Sequence, residues 1–419
     1  MDALRIVGKG CLRGEVPISG SKNASLPIMA AALLAEGEST VHNIPGLADV
    51  RTLARLLAHL GVDVNHGGDT MTLNARHLRG VEAPYNLVRT MRASFLVLGP
   101  LLARCRRARV SLPGGCAIGA RPVDQHLKAL TKLGVNVRIE HGYVEADVPH
   151  GLHGADVILD MPSVGATENL LLTASLCSDT TVVRNAAREP EVVDLSKVLT
   201  AMGAHIEGAG TPCIVIEGRP QLKPFAHRVI ADRIEAGTFL VAGALVGDPI
   251  VVVGAVADHQ AALLDKLAEA GAQIAVRGDD AIEIFRAAKV RPVSVKTAPY
   301  PGFPTDMQAQ FMVLQSLAHG SSTSTETIFE NRFMHVAEMN RLGADIHVEG
   351  GQAVVSGPAA LSGSQVMATD LRASACLVLA GLVASDETVV RRIYHLDRGY
   401  EQLEAKLRNL GASIERFHE

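Results

Sequence analysis

The chain has 419 residues, too many for one ordinary hydrophobic core, so two or three domains are expected. A net charge of −4 and an aromatic content of 3%, with no Trp, argue against a nucleic-acid binder, which needs positive excess and stacking side chains. No leader and no apolar stretch of bilayer length is visible, and the cysteines at 11, 105, 116, 177, 213 and 376 form neither a CxxC pair nor a zinc-type spacing, so a cytoplasmic, reducing setting without membrane insertion is expected.

Gly20-Ser21-Lys22-Asn23 opens an apolar helix predicted over 24–35. A helix N-terminus presents free amides and a positive dipole end, so with Lys22 it can take an anion; a solvated cap lysine is the ordinary alternative. The GxxxxGK[ST] spacing of a Walker loop is absent. An amphipathic helix follows over 50–60 and ends at Leu60-Gly61-Val62.

Met91-Arg92-Ala93-Ser94 leads into a second apolar helix, predicted over 93–103. Next comes Pro113-Gly114-Gly115-Cys116-Ala117-Ile118-Gly119-Ala120-Arg121-Pro122, whose glycines and prolines read as an extended loop. A thiol there is exposed and open to activation by Arg121, whereas Cys105, Cys177 and Cys376 sit in apolar helical patterns and read as core. Amphipathic helix 123–133, strand 135–139, apolar helix 169–177 and strand 181–183 continue the chain. Pro220 and Pro224 break the pattern around 218–227.

In the second half, Pro299-Tyr300-Pro301-Gly302-Phe303-Pro304-Thr305-Asp306-Met307-Gln308 opens another helix. Thr305 and Gln308 match a capping box, which leaves Asp306 either as a first-turn carboxylate or as a chemical group. Asp370 precedes Arg372 at a further helix start; helix 373–384, strand 388–390 and helix 400–410 close the chain. His126 and His335 fall within helices without metal-ligand companions and read as structural.

One signal ties these elements together. A helix ends at Gly61, Gly134, Gly203, Gly271, Gly343 and Gly411, at intervals of 73, 69, 68, 72 and 68 residues. Each unit reads as strand–helix–strand–helix–strand–strand, with the glycine as a left-handed C′ residue. Six such units predict two α/β domains of three units each, the first unit's opening strand pairing with the last units. Arg121 and Arg398 each stand 13 residues before a repeat glycine, in opposite halves of the chain, so a basic cleft is expected.

Gly-Ser-Lys-Asn, the Cys116 loop, Pro-Thr-Asp, Glu330-Asn331-Arg332-Phe333, Asp370-Leu371-Arg372-Ala373 and Asp397-Arg398-Gly399-Tyr400 occur in one order along the whole chain. In these segments the sequence resembles the UDP-N-acetylglucosamine enolpyruvyl transferases. The resemblance implies an inside-out α/β barrel of two domains, 22–228 carrying the Cys116 loop and 1–21 plus 229–419 carrying Asp306 and Arg398. It implies transfer of the enolpyruvyl group of phosphoenolpyruvate to the 3′-hydroxyl of UDP-N-acetylglucosamine, the first committed step of peptidoglycan precursor synthesis, with no metal or organic cofactor. By resemblance, Cys116 delivers a proton and Asp306 lies near the sugar hydroxyl. Lys22, Arg121 and Arg398 hold the anionic ends of phosphoenolpyruvate, with Asn23 orienting the reacting centre. Arg92, the turn of Arg121, Pro122, Val123, Asp124 and Gln125, then Ser163, Val164 and Ile328, line the nucleotide-sugar site, and Arg332, Asp370 and Arg372 match motif residues that the family places around the cleft. The rival readings are a transferase acting on shikimate 3-phosphate and a non-catalytic nucleotide-sugar sensor; the Cys116 loop and the Arg-Pro-Val-Asp turn favour the nucleotide sugar.

Overall fold

The computed structural model describes residues 2–114 and 123–419. They divide into two units, one of 2–19 with 231–419 and the other of 20–114 with 123–230. Each unit contains three four-stranded sheets.

The sheets share one plan, visible in the second repeat. Glu82–Ala83 runs parallel to Arg107–Ser111, which is antiparallel to Tyr143–Asp147, which is antiparallel to Asn136–Glu140. A parallel pair needs a crossover, and the apolar helix supplies it. The amphipathic helix then leads to a hairpin that completes the sheet. Three sheets are finished by distant strands: Asp2–Val7 lies between Glu387–Arg391 and Ser413–His418, Leu12–Pro17 runs parallel to Gly247–Val253, and Ala226–Arg228 pairs with Glu38–His42. The expected pairing of the chain's start with its last unit is therefore present.

Helices divide by burial. Lys22–Ala31, Leu98–Cys105 and Val164–Ala174 in one unit, and Arg233–Val246, Gln308–Ser316 and Leu371–Val383 in the other, are buried along most or all of their length. They are buried on nearly every face, with few charged residues, so they occupy the inside of each unit while the sheets face outward. This is the inside-out α/β barrel arrangement. The second helix of the first repeat is one-sided: Ala48–His59 buries Val50, Leu53, Leu56 and Leu57, with Asp49 at its start, and exposes Arg51, Arg55, Ala58 and His59. Each fully buried leucine contributes about 1.5–3 kcal/mol.

All six repeat glycines have positive φ, from 91° at Gly134 to 117° at Gly203. At Gly61 a Cβ would also meet the backbone nitrogen of Arg79 at 2.6 Å, whereas Gly203 faces open space. The left-handed helix terminus alone is the reason for Gly203.

Three local expectations fail for identifiable reasons. The helix expected over 93–103 begins as a 3₁₀ segment, Arg92–Val97, and becomes α-helical only at Leu98. Pro100 cannot donate to the carbonyl of Leu96, so the first turns tighten. The final helix starts at Leu403 rather than 400, because Gln402 is left-handed. Thr305 does not form the capping box with Gln308: its hydroxyl donates to Glu326 at 2.8 Å, and residues Thr305–Met307 form a 3₁₀ turn.

Candidate functional site

In the unit that holds 231–419, Asp306 is set by the 3₁₀ turn ahead of the buried helix Gln308–Ser316. Arg332 Nη2 donates to its Oδ1 at 2.7 Å and Arg372 Nη2 donates to its Oδ2 at 2.8 Å. Both arginine side chains are almost fully buried, at 6% and 5% exposed, whereas the Asp306 side chain keeps 27%. The exposed end of the triad is thus the carboxylate. Burial opposes ionisation of Asp306, but the charges of Arg372 and Arg332 and their hydrogen bonds outweigh it and hold the group well below the usual carboxylate range.

Neighbouring side chains fix the arginines. The Phe329 ring lies 5.3 Å from the Arg332 guanidinium and the Tyr400 ring 5.5 Å from that of Arg372. The Tyr400 hydroxyl meets Thr238 Oγ1 at 2.9 Å and accepts from Gln310 Nε2 at 3.1 Å. Asp370 caps the helix Leu371–Val383, accepting from the amides of Arg372 at 2.8 Å and Ala373 at 3.0 Å. Its carboxylate is therefore committed to the backbone that carries Arg372. Arg398 ends the 3₁₀ segment Ile393–Arg398, and the adjoining Gly399 packs against Leu371 so closely that a Cβ would lie 2.7 Å from its Cδ2. Burial and the charge of Arg398 lower the pKa of His395.

In the other unit, Ser21 caps the helix Lys22–Ala31, and Lys22 and Asn23 form its first turn. Lys22 is only 12% exposed and pairs with Asp49 Oδ2 at 3.5 Å, so it is a held cation rather than a solvated one. A separate group gathers around His126. Asn169 Nδ2 lies 3.1 Å from its Nδ1, and Phe95 meets its ring edge to face. Burial and the charge of Arg92 push its pKa down to about 3, so the ring is neutral. A Cβ on Gly165 would touch His126 Cε1 at 3.0 Å, which brings the helix start at Asp124 and Gln125 against that at Ser163 and Val164. Gln125, Ser163 and Val164 are thus near one another, and Arg92 opens the 3₁₀ segment whose Phe95 packs on the His126 ring.

Cys116, Arg121 and Pro122 lie outside the described residues. Among the other cysteines, Cys177 and Cys376 are buried as expected, but Cys105, last in its helix, is only partly so. Burial raises all three thiol pKa values. Asp49, Glu326 and Tyr400 escaped the sequence reading of the site. Asp49 carried one usable signal, a first-turn acid on a helix. Among the described residues no group of three or more His, Cys, Asp or Glu is placed to hold a metal ion, and no helix is long and apolar enough to cross a membrane.

The family model described as EPSP synthase (3-phosphoshikimate 1-carboxyvinyltransferase) matches residues 6–407. A UDP-N-acetylglucosamine 1-carboxyvinyltransferase of Anaeromyxobacter sp. (strain K) is 60% identical over 420 residues, covering 99% of each chain. The protein of that name from Trichlorobacter lovleyi is 55% identical over 100% of both chains. Among solved structures, the enolpyruvyl transferase NikO from Streptomyces tendae is similar with a TM-score of 0.89 at 29% identity, covering 99% of this chain and 98% of its own.

Proposed function

Since the chain belongs to the EPSP synthase family of carboxyvinyl (enolpyruvyl) transferases, we propose that it moves the enolpyruvyl group of phosphoenolpyruvate onto the 3′-hydroxyl of UDP-N-acetylglucosamine, releasing phosphate. The acceptor follows from relatives named UDP-N-acetylglucosamine 1-carboxyvinyltransferase at 54–60% identity. The reaction supplies the precursor of peptidoglycan.

The transfer has two chemical demands. Addition of the sugar oxygen to C2 of phosphoenolpyruvate needs a proton on C3 and loss of the hydroxyl proton; elimination then takes a proton back from C3, expels phosphate from C2 and restores the double bond. Cys116 supplies the proton to C3. Asp306 receives the hydroxyl of the sugar. Lys22, Arg121 and Arg398 balance the phosphate and carboxylate, Asn23 orients the reacting carbon, and Asp49 keeps Lys22 in place. Arg92, Pro122, Val123, Asp124, Gln125, Ser163, Val164 and Ile328 hold the nucleotide sugar.

The observation that carries the reading is the Arg332–Asp306–Arg372 clamp. It keeps a partly exposed carboxylate ionised and fixes its direction, which suits alignment of a neutral hydroxyl. A carboxylate so stabilised is a weak base, so proton uptake requires one arginine to loosen its hydrogen bond as the hydroxyl arrives. The test is phosphate release from phosphoenolpyruvate with each acceptor. Release only with UDP-N-acetylglucosamine supports the reading; release with shikimate 3-phosphate refutes the acceptor, and none with either refutes the activity.

A further inference from the structure

Glu326 follows the strand Gly320–Thr325 and is 8% exposed. Its carboxylate accepts four hydrogen bonds from neutral donors. Oε1 accepts from Thr297 Oγ1 at 2.9 Å, from the Ile328 amide at 2.8 Å and from the Phe329 amide at 3.2 Å. Oε2 accepts from Thr305 Oγ1 at 2.8 Å. Thr297 is tied to the same segment again, accepting from the Thr327 amide at 2.9 Å while its carbonyl accepts from the Thr327 hydroxyl at 2.7 Å.

These bonds reach the site by two routes. Thr305 immediately precedes Asp306 in the 3₁₀ turn. Phe329, whose amide Glu326 holds, places its ring 5.3 Å from the guanidinium of Arg332, which grips Asp306 Oδ1. The Ile328 amide is held between them. We propose that Glu326 is a positioning residue which sets the direction of Asp306 and the backbone at Ile328 together, so that the hydroxyl-receiving carboxylate and the nucleotide-sugar contact keep one spacing. The proposal rests on the transferase reading above and assigns Glu326 no contact with substrate. Charge-assisted hydrogen bonds to a buried carboxylate are the strong ones, which is why one residue can hold three segments of chain.

The alternative is that Glu326 merely closes the end of its strand. Steady-state constants for both substrates separate the two, measured with the melting temperature for the parent, Glu326→Gln, Glu326→Ala and Thr305→Val. Glu326→Ala is expected to lose about tenfold or more in kcat and to raise KM for UDP-N-acetylglucosamine about tenfold, with KM for phosphoenolpyruvate within about twofold. Glu326→Gln keeps an oxygen for Thr297, Ile328 and Phe329 and offers its amide to Thr305 Oγ1, which rotates to accept, so it stays within about threefold of the parent. Thr305→Val cuts only the route to Asp306; kcat falls and KM for the nucleotide sugar holds. Parental constants in Glu326→Ala, equal losses in the Gln and Ala variants, or a common rise of both KM values overturns the proposal. Should Glu326→Ala fail to fold, Thr305→Val decides, and parental kcat in that variant overturns it. An inactive parent overturns the transferase reading and this proposal with it; an active parent with any of the contrary patterns overturns this proposal alone.

Discussion

Arg372 donates to Asp306 at 2.8 Å across 66 residues of sequence, and Arg332 closes on the other oxygen at 2.7 Å. A carboxylate held by two buried guanidiniums has lost most of its basicity before substrate arrives.

The pH dependence of turnover reads that clamp directly. The depressed pKa of Asp306 keeps it ionised across the neutral range, so the parent should show no acid limb from this group above about pH 5. Arg332→Gln removes one lowering charge, and the Asp306 pKa must rise. With Asp306 in the proposed role the ionised carboxylate is the working form, so the acid limb should move upward in pH. Asp306→Asn keeps the shape without the base and is expected to lower kcat by about 10²-fold or more. A pH–rate profile for the three proteins checks both outcomes; an unmoved limb in Arg332→Gln would remove Asp306 from the chemistry.

The role proposed for Cys116 gives it two chemical capacities that substitution should separate. A carboxylic acid can replace a thiol as proton donor when its pKa is raised, but it cannot open an epoxide as a thiolate does. Cys116→Asp should therefore keep measurable turnover and gain no mass from the epoxide fosfomycin. Cys116→Ala should lose most turnover. Rates and intact mass after fosfomycin treatment decide the matter.

Glu168 in the helix Val164–Ala174 is 4% exposed, and its Oε1 finds no hydrogen-bond partner among the described residues. Burial, then the charges of Glu191 and Glu189, raise its pKa well above the usual value. The folded state therefore binds a proton that the unfolded chain releases above about pH 4.3. That contribution to stability is full below this pH and declines as pH rises toward the folded pKa. Glu168→Gln has no such decline. Denaturant melts from about pH 4 to pH 8 should show the variant gaining on the parent as pH rises; parallel curves would mean that Glu168 is ionised in the fold.

The repeat glycines give a graded prediction. Gly203→Ala meets open space and bears only the left-handed φ of 117°, a cost of about 1–2 kcal/mol. Gly61→Ala adds a clash with the Arg79 backbone at 2.6 Å and should cost more. Equal melting temperatures for the two variants would contradict the packing account.

The repeat was readable because a helix terminus needs one residue type at one place, six times over. The alternation of apolar and polar residues likewise disclosed the strand expected over 135–139, found as Asn136–Glu140. Residues that act through distant partners were harder to read. Thr305 and Gln308 have the spacing of a capping box, yet Glu326, 21 residues on, takes the threonine hydroxyl. Asp306 kept two readings open in the sequence because the arginines that define it arrive from 26 and 66 residues away. Asp370 carried a motif but not its task, which is to cap the helix presenting Arg372. Pro100, by contrast, was visible from the start, and its missing N–H is enough to explain the 3₁₀ segment Arg92–Val97.

The most direct test of the central claim is the structure of the product. The purified protein, given phosphoenolpyruvate labelled with carbon-13 and an equal mixture of UDP-N-acetylglucosamine and shikimate 3-phosphate, should yield a labelled carboxyvinyl ether on the 3′-oxygen of the nucleotide sugar alone, seen by carbon NMR and mass spectrometry. Label on shikimate 3-phosphate, or labelled phosphoenolpyruvate recovered unchanged, would contradict it.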